Sequence, residues 1–71
     1  MKVYIEMLRS PATLRKALEA DGWRLETAHP GAVFAGHPHL RDEADARGRL
    51  HDLGLLTSSA VRIEFRPPGS N

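Results

Sequence analysis

The stretch KVYIEML, residues 2–8, decides the fold because its side chains alternate in kind. Val3, Ile5 and Met7 are apolar, whereas the residues between them are charged or aromatic. Successive side chains of a strand point to opposite faces, so this period of two predicts a strand with one buried face. The stretch VRIEFR, residues 61–66, has the same alternation and predicts the last strand.

Signals for a helix follow the first strand. Ser10 and Pro11 indicate its start, because a serine hydroxyl can accept a hydrogen bond from a free amide and proline has no amide to lose in the first turn. Gly22 predicts its end, since glycine adopts the left-handed conformation at low cost. Trp23 is then expected to pack back on Leu18.

A second helix is predicted over residues 40–53, which are rich in alanine, leucine, arginine and carboxylates. Leu50, Gly54 and Leu55 repeat the pattern of leucine, glycine and large apolar residue that ends the first helix. Gly48 interrupts the helix, where it costs roughly 1 kcal/mol relative to alanine. A close approach of the helix to the sheet at Gly48 would explain this cost.

Two shorter strands are predicted between the helices. Residues 23–27 alternate in polarity, and residues 32–36 form a short apolar run. Pro30 and Gly31 lie between the two runs, and together they favour a tight reversal of the chain. The two runs therefore predict a hairpin.

The order strand, helix, strand, strand, helix, strand predicts an α+β domain, a ferredoxin-like β-α-β-β-α-β sandwich. With right-handed crossovers, the simplest arrangement is an antiparallel sheet in spatial order 4-1-3-2 with both helices on one face. Residues 1–66 form this single domain in the prediction. Pro67 and Pro68 stop the last strand, so residues 67–71 are expected to be a flexible C-terminal tail.

Composition limits the classes of function. The 71 residues include no cysteine, and ten basic against nine acidic residues leave a net charge of +1. A disulfide-rich secreted scaffold is therefore excluded, and a strong field for nucleic acid is not expected. The chain has no features of a signal peptide or a membrane span, so we expect a cytoplasmic protein. A domain of this size buries only about 60% of its unfolded surface and gains from a partner.

The sheet face opposite the helices, called the open face below, is the first candidate for function. We take the following as candidate binding residues on it: Lys2, Tyr4, Arg24, Arg62, Glu64 and Arg66. The charges are mixed, and the sequence shows no convergent polar cluster. This pattern favours a small interaction or regulatory module that binds a protein partner or itself.

The last strand is a sheet edge in the predicted order, which suggests a homodimer. An antiparallel match centred on Ile63 would place Arg62 opposite Glu64 of a second copy and extend the sheet through both chains. The alternative is that these charges only protect the edge from pairing.

RNA binding on the open face is the alternative function. RNA-recognition domains of this topology stack bases on aromatic residues of the two central strands, and Tyr4 lies on one of these strands. Phe34 lies on the other, either outward beside Tyr4 or in the core with Val33 outward. Neither strand has the glycine-and-aromatic signature of those domains, and the carboxylates of the same face would repel phosphate.

Four histidines raise the question of a metal site. His29 precedes the third strand and His37 follows it, so the two are expected at opposite ends of the domain. His37 and His39 could form a smaller site with a carboxylate, but histidines beside a proline in a loop are commonly spacers. The sequence contains no nucleophile motif, phosphate loop or zinc-binding helix motif. We therefore predict no metal, no cofactor and no catalytic residue.

Residues 14–38 resemble part of the small RNA-cleaving toxins of the HicA type. The resemblance covers about a third of the chain: a helix, then Gly22 and Trp23, then His29 before a short strand. It implies a small ribonuclease-like toxin with His29 as the candidate catalytic residue. The family's glycine and serine before that histidine are here Thr27 and Ala28, and its fold lacks the first and last strands predicted above.

Overall fold

The computed structural model describes residues 2–66, and the predicted tail at residues 67–71 lies outside the described residues. The elements follow the predicted order. They are β1 (Lys2–Met7), α1 (Pro11–Ala20), β2 (Arg24–His29), β3 (Ala32–Gly36), α2 (Glu43–Asp52) and β4 (Val61–Arg66). No helix in this part of the chain is long and apolar enough to cross a membrane.

The four strands form one antiparallel sheet in the order β2-β3-β1-β4, which confirms the predicted arrangement. β1 and β4 pair over six residues, with Ile5 opposite Ile63. β1 also pairs with β3, where Ile5 lies opposite Val33. The first strand therefore lies inside the sheet, and β2 and β4 are its two edges.

One hydrophobic core joins the sheet to both helices. Val3 and Ile5 of β1 are fully buried, as are Leu18 of α1 and Ala46 and Leu50 of α2. All five belong to one cluster of contacting side chains. Because residues of both helices contact the same face of β1, both helices lie on that face, as predicted.

Both helices end in the predicted motif. Gly22 is left-handed, with φ of +95°, and the Trp23 amide donates to the carbonyl of Leu18 at 3.0 Å. Gly54 has φ of +75°, and the Leu55 amide donates to the carbonyl five residues earlier, also at 3.0 Å. These are the hydrogen bonds of the Schellman motif, which satisfies carbonyls that the last helical turn leaves without a partner.

α1 begins at Pro11, as the sequence predicts, but its capping differs from the prediction, and α2 begins later than predicted. Ser10 has φ of 49°, and its side chain makes no capping bond within residues 2–66; its carbonyl accepts a hydrogen bond from the Leu14 amide at 3.1 Å. The predicted serine cap is therefore wrong. α2 begins at Glu43 rather than at residue 40, because Asp42 is extended and its side chain accepts from the Asp45 amide at 2.9 Å.

Gly48 was expected to lie close to the sheet, and this expectation is wrong. Gly48 is exposed, and apart from its chain neighbours and the backbone of α2 no described atom lies within 4 Å of a Cβ placed there. The residue therefore only lowers helix propensity, and we expect Gly48→Ala to raise the free energy of unfolding by about 0.5–1 kcal/mol in urea denaturation. Ala44→Gly, at another exposed position of α2, should have the opposite effect. A loss of stability in Gly48→Ala would contradict this view of the helix.

Candidate interaction surfaces

Tyr4 and Phe34 form an aromatic pair on the open face. They are opposite residues on the neighbouring strands β1 and β3, and their ring centroids are 5.6 Å apart. Val33 is 1% exposed and points into the core. Of the two orientations that the sequence allowed for Phe34, the structure has the outward one.

His29 joins this pair through an irregularity of β2. The pairing of β2 with β3 shifts register between Thr27 and His29, which is a β-bulge at the sheet edge. The His29 ring lies 6.0 Å from the Tyr4 ring, and the Tyr4 hydroxyl is 2.7 Å from Nε2 of His29. Nδ1 of His29 donates to the carbonyl of Pro30 at 3.1 Å, so in the neutral imidazole Nε2 accepts from the tyrosine hydroxyl. His29 therefore orients Tyr4.

Charges of both signs lie across from one another on the open face. Glu6 lies opposite Arg62, whereas Lys2 lies opposite another cationic residue, Arg66. Lys2 and Glu26 form an ion pair at 3.4 Å, with both side chains largely exposed. Pairs of this kind keep the face close to neutral and contribute little to stability.

The strand register shows where the candidate binding residues lie. The register places five of them on the open face: Lys2, Tyr4, Arg24, Arg62 and Glu64. For Arg66, the structure describes only the backbone, which pairs with Lys2. This grouping establishes a shared surface, and its function is proposed below.

A cleft opens at one end of this face, beside Phe34. Its volume is about 270 Å³, and the residues that line it are Lys2, Arg24, Leu25, Glu26, Phe34 and Gly36. The strand register explains it, because Arg24 lies opposite Gly36, which has no side chain to fill the space. Sequence reasoning missed this cleft, since it depends on which residue of β2 faces the glycine.

The two edges of the sheet differ. β2 has the bulge between Thr27 and His29, and bulges at sheet edges oppose pairing with another chain. β4 pairs with β1 in continuous register over its full length, and Arg62 and Glu64 are exposed. On its inner side, Phe65 is half-buried and packs under the guanidinium of Arg47, 4.4 Å from the ring centroid.

His37 has a structural role in the fold. It is 9% exposed, and its Nδ1 accepts from the His39 amide at 3.2 Å, so Nε2 is the nitrogen that donates to the carbonyl of Asp21 at 2.8 Å. The Asp21 carboxylate accepts from Nε1 of Trp23 at 3.0 Å and from Nε of Arg49 at 3.1 Å. This network joins the end of α1, the loop after β3 and α2.

The structure shows no arrangement for metal binding in the part of the chain that it describes. Within residues 2–66, no group of three or more histidine, aspartate or glutamate side chains could hold an ion.

At the start of α2, a hydrogen bond from the Arg41 side chain lowers the pKa of Asp45 below its usual value. This carboxylate remains ionised and would repel an anion from the first turn.

Comparison of the chain with protein-family models, curated proteins and solved structures gives no match. The structure does contain β1 and β4, the two strands that the fold of the HicA-type toxins lacks. The surfaces must therefore be interpreted from their own geometry.

Proposed function

We propose that this protein is a small interaction module that forms a homodimer through β4, and that its fold is of the ferredoxin-like type. The fold assignment is supported by the element order and by the strand order. The observation that carries the dimer is the continuous and exposed edge of β4, whereas a bulge interrupts the opposite edge.

The charges of β4 are complementary under a two-fold axis. If two β4 strands pair antiparallel about Ile63, Arg62 of each copy lies opposite Glu64 of the other, and Val61 lies opposite Phe65. Directly opposite ion pairs stabilise antiparallel strands by about 0.2–1 kcal/mol each. The half-buried inner side chains of Ile63 and Phe65 would also gain cover from the second copy.

Sedimentation equilibrium at micromolar concentration tests this proposal. We expect a mass above that of the monomer, and a lower mass for Glu64→Arg, which places like charges opposite each other in both symmetric pairs. Adding Arg62→Glu to that variant exchanges the charges and should restore the wild-type mass. Glu19→Arg makes the same charge change at an exposed position of α1, away from β4, and should leave the mass unchanged. A monomeric wild type would exclude the dimer.

RNA binding on the open face is a second candidate, supported by the outward orientation of Phe34 beside Tyr4. Both rings lie on the two central strands, which is where RNA-recognition domains of this topology stack bases. The carboxylates of the same face oppose this function, so stacking would have to supply much of the affinity.

Fluorescence anisotropy with single-stranded RNA at low salt tests the second candidate. Removal of a stacking ring costs about 1–3 kcal/mol per base, so we expect Tyr4→Ala and Phe34→Ala each to weaken binding about tenfold. Tyr4→Phe keeps the ring and loses only the hydroxyl bond to His29, so it should bind almost as the wild type does. Undiminished binding by both alanine variants would exclude stacking on this face.

A further inference from the structure

The cleft beside Phe34 has cationic residues on two sides and a glycine between them. Arg24 of β2 lies opposite Gly36 of β3. Val3 of β1 lies opposite Ala35 of β3 in an antiparallel pair, so the residues next to them, Lys2 and Gly36, also face each other. Lys2 therefore lies on the side of Gly36 away from β2. Neighbouring strands are about 4.8 Å apart, so the backbones of Arg24 and Lys2 are about 10 Å apart across the glycine. Both long side chains are exposed and can reach a group above Gly36.

Phe34 supplies an aromatic wall to the same cleft. It lies on β3 two residues before Gly36, so it points to the same face of the sheet. The cleft of about 270 Å³ is smaller than a typical site for a drug-sized ligand. Its size, one flat ring and two cations match a single nucleotide, which has a base that can stack and a phosphate that needs positive charge.

Glu26 already neutralises part of this positive charge. Its carboxylate is 3.4 Å from Nζ of Lys2, and the exposed fractions of the two side chains are 73% and 63%. An ion pair this exposed is weak, so a phosphate can replace the carboxylate at Lys2.

We propose that this cleft is a subsite for one nucleotide of a single-stranded RNA, and that Glu26 competes with the RNA phosphate for Lys2. The phosphate lies above Gly36 between Lys2 and Arg24, and the base packs on Phe34. The proposal rests on the second candidate function, RNA binding, and identifies the residues that would hold the RNA backbone.

Anisotropy titration with a labelled RNA of about eight uridines, within the usual range of site sizes, tests the subsite. We expect Lys2→Gln and Arg24→Gln each to weaken binding several-fold and to lower the slope of log affinity against log salt by about one. Glu26→Gln should tighten binding several-fold, because it releases Lys2 without changing the size of the side chain. Lys16→Gln, at an exposed position of α1, is the matched control and should leave both the affinity and the salt slope unchanged.

The possible failures can be told apart. If the folded wild type does not bind this RNA, both the RNA function and the subsite are wrong. If the wild type binds and Tyr4→Ala weakens binding, but the cleft variants behave as Lys16→Gln does, the RNA function stands and the subsite is wrong. Weaker binding by Glu26→Gln would also overturn the proposal, since the carboxylate would then contribute to binding.

Discussion

Ile5→Ala should lower the free energy of unfolding by about 3–4 kcal/mol. Ile5 is fully buried, lies on an inner strand and faces Val33 on one side and Ile63 on the other. Truncation removes apolar contacts and leaves a cavity that two paired neighbours prevent from closing, and such changes cost about 2–5 kcal/mol. A domain of 71 residues has a total stability of roughly 4–10 kcal/mol, so this single change removes a large part of it.

Urea denaturation followed by circular dichroism measures this effect. Ile5→Val removes one methylene group and should cost only about 0.5–1.5 kcal/mol, which provides a measurable value if the alanine variant does not fold. Leu25→Ala is the matched control, because it makes a truncation of the same size at a half-buried position of β2, the edge strand away from the proposed dimer interface. A cost at Leu25 equal to that at Ile5 would contradict the placement of β1 inside the sheet.

The fold could be predicted because its main determinants are local in the sequence. The alternation at residues 2–8 and 61–66 identifies which side chains point inward, and Gly22 and Gly54 mark the helix ends that the structure shows. Given the element order, few compact topologies remain, so the strand order follows from short-range signals.

The features that could not be predicted depend on contacts between residues that are far apart in the sequence. Ser10 has the sequence of a helix cap, but it is left-handed and its hydroxyl does not cap α1. The amides of the two residues before it donate to the carbonyl of Ala60, which is far away in the sequence. The approach of His29 to Tyr4 needs the bulge in β2, which exists only in relation to β3. Local residue preferences contain no information about either contact.

The candidate surfaces were predictable to different degrees. Alternation alone places Tyr4 and Arg62 on the open face, and the order of strands makes β4 an edge. The cleft at Gly36 requires the register of β2 against β3, because a shift of one residue would place a different side chain opposite the glycine.

Gly22→Ala should cost about 2–3 kcal/mol, whereas Gly54→Ala should cost about 1–2 kcal/mol. Both glycines are left-handed, with φ of +95° and +75°, and this conformation costs an L-residue roughly 1–2 kcal/mol. They differ in their surroundings. A Cβ at Gly22 would lie 2.9 Å from Nε2 of His37, whereas a Cβ at Gly54 would have no described atom within 4 Å apart from those of the adjoining residues.

The extra cost at Gly22 comes from the hydrogen bond that His37 must give up. Nε2 is the nitrogen that donates to the carbonyl of Asp21 at 2.8 Å, so a methyl group there displaces a nearly buried ring from its acceptor, at about 1 kcal/mol. Urea denaturation of both glycine variants in a His37→Ala background isolates this contribution. There, Gly22→Ala should cost no more than Gly54→Ala. If the difference between them persists without the imidazole, contact with His37 is not its cause, and the two Schellman turns differ in backbone strain alone.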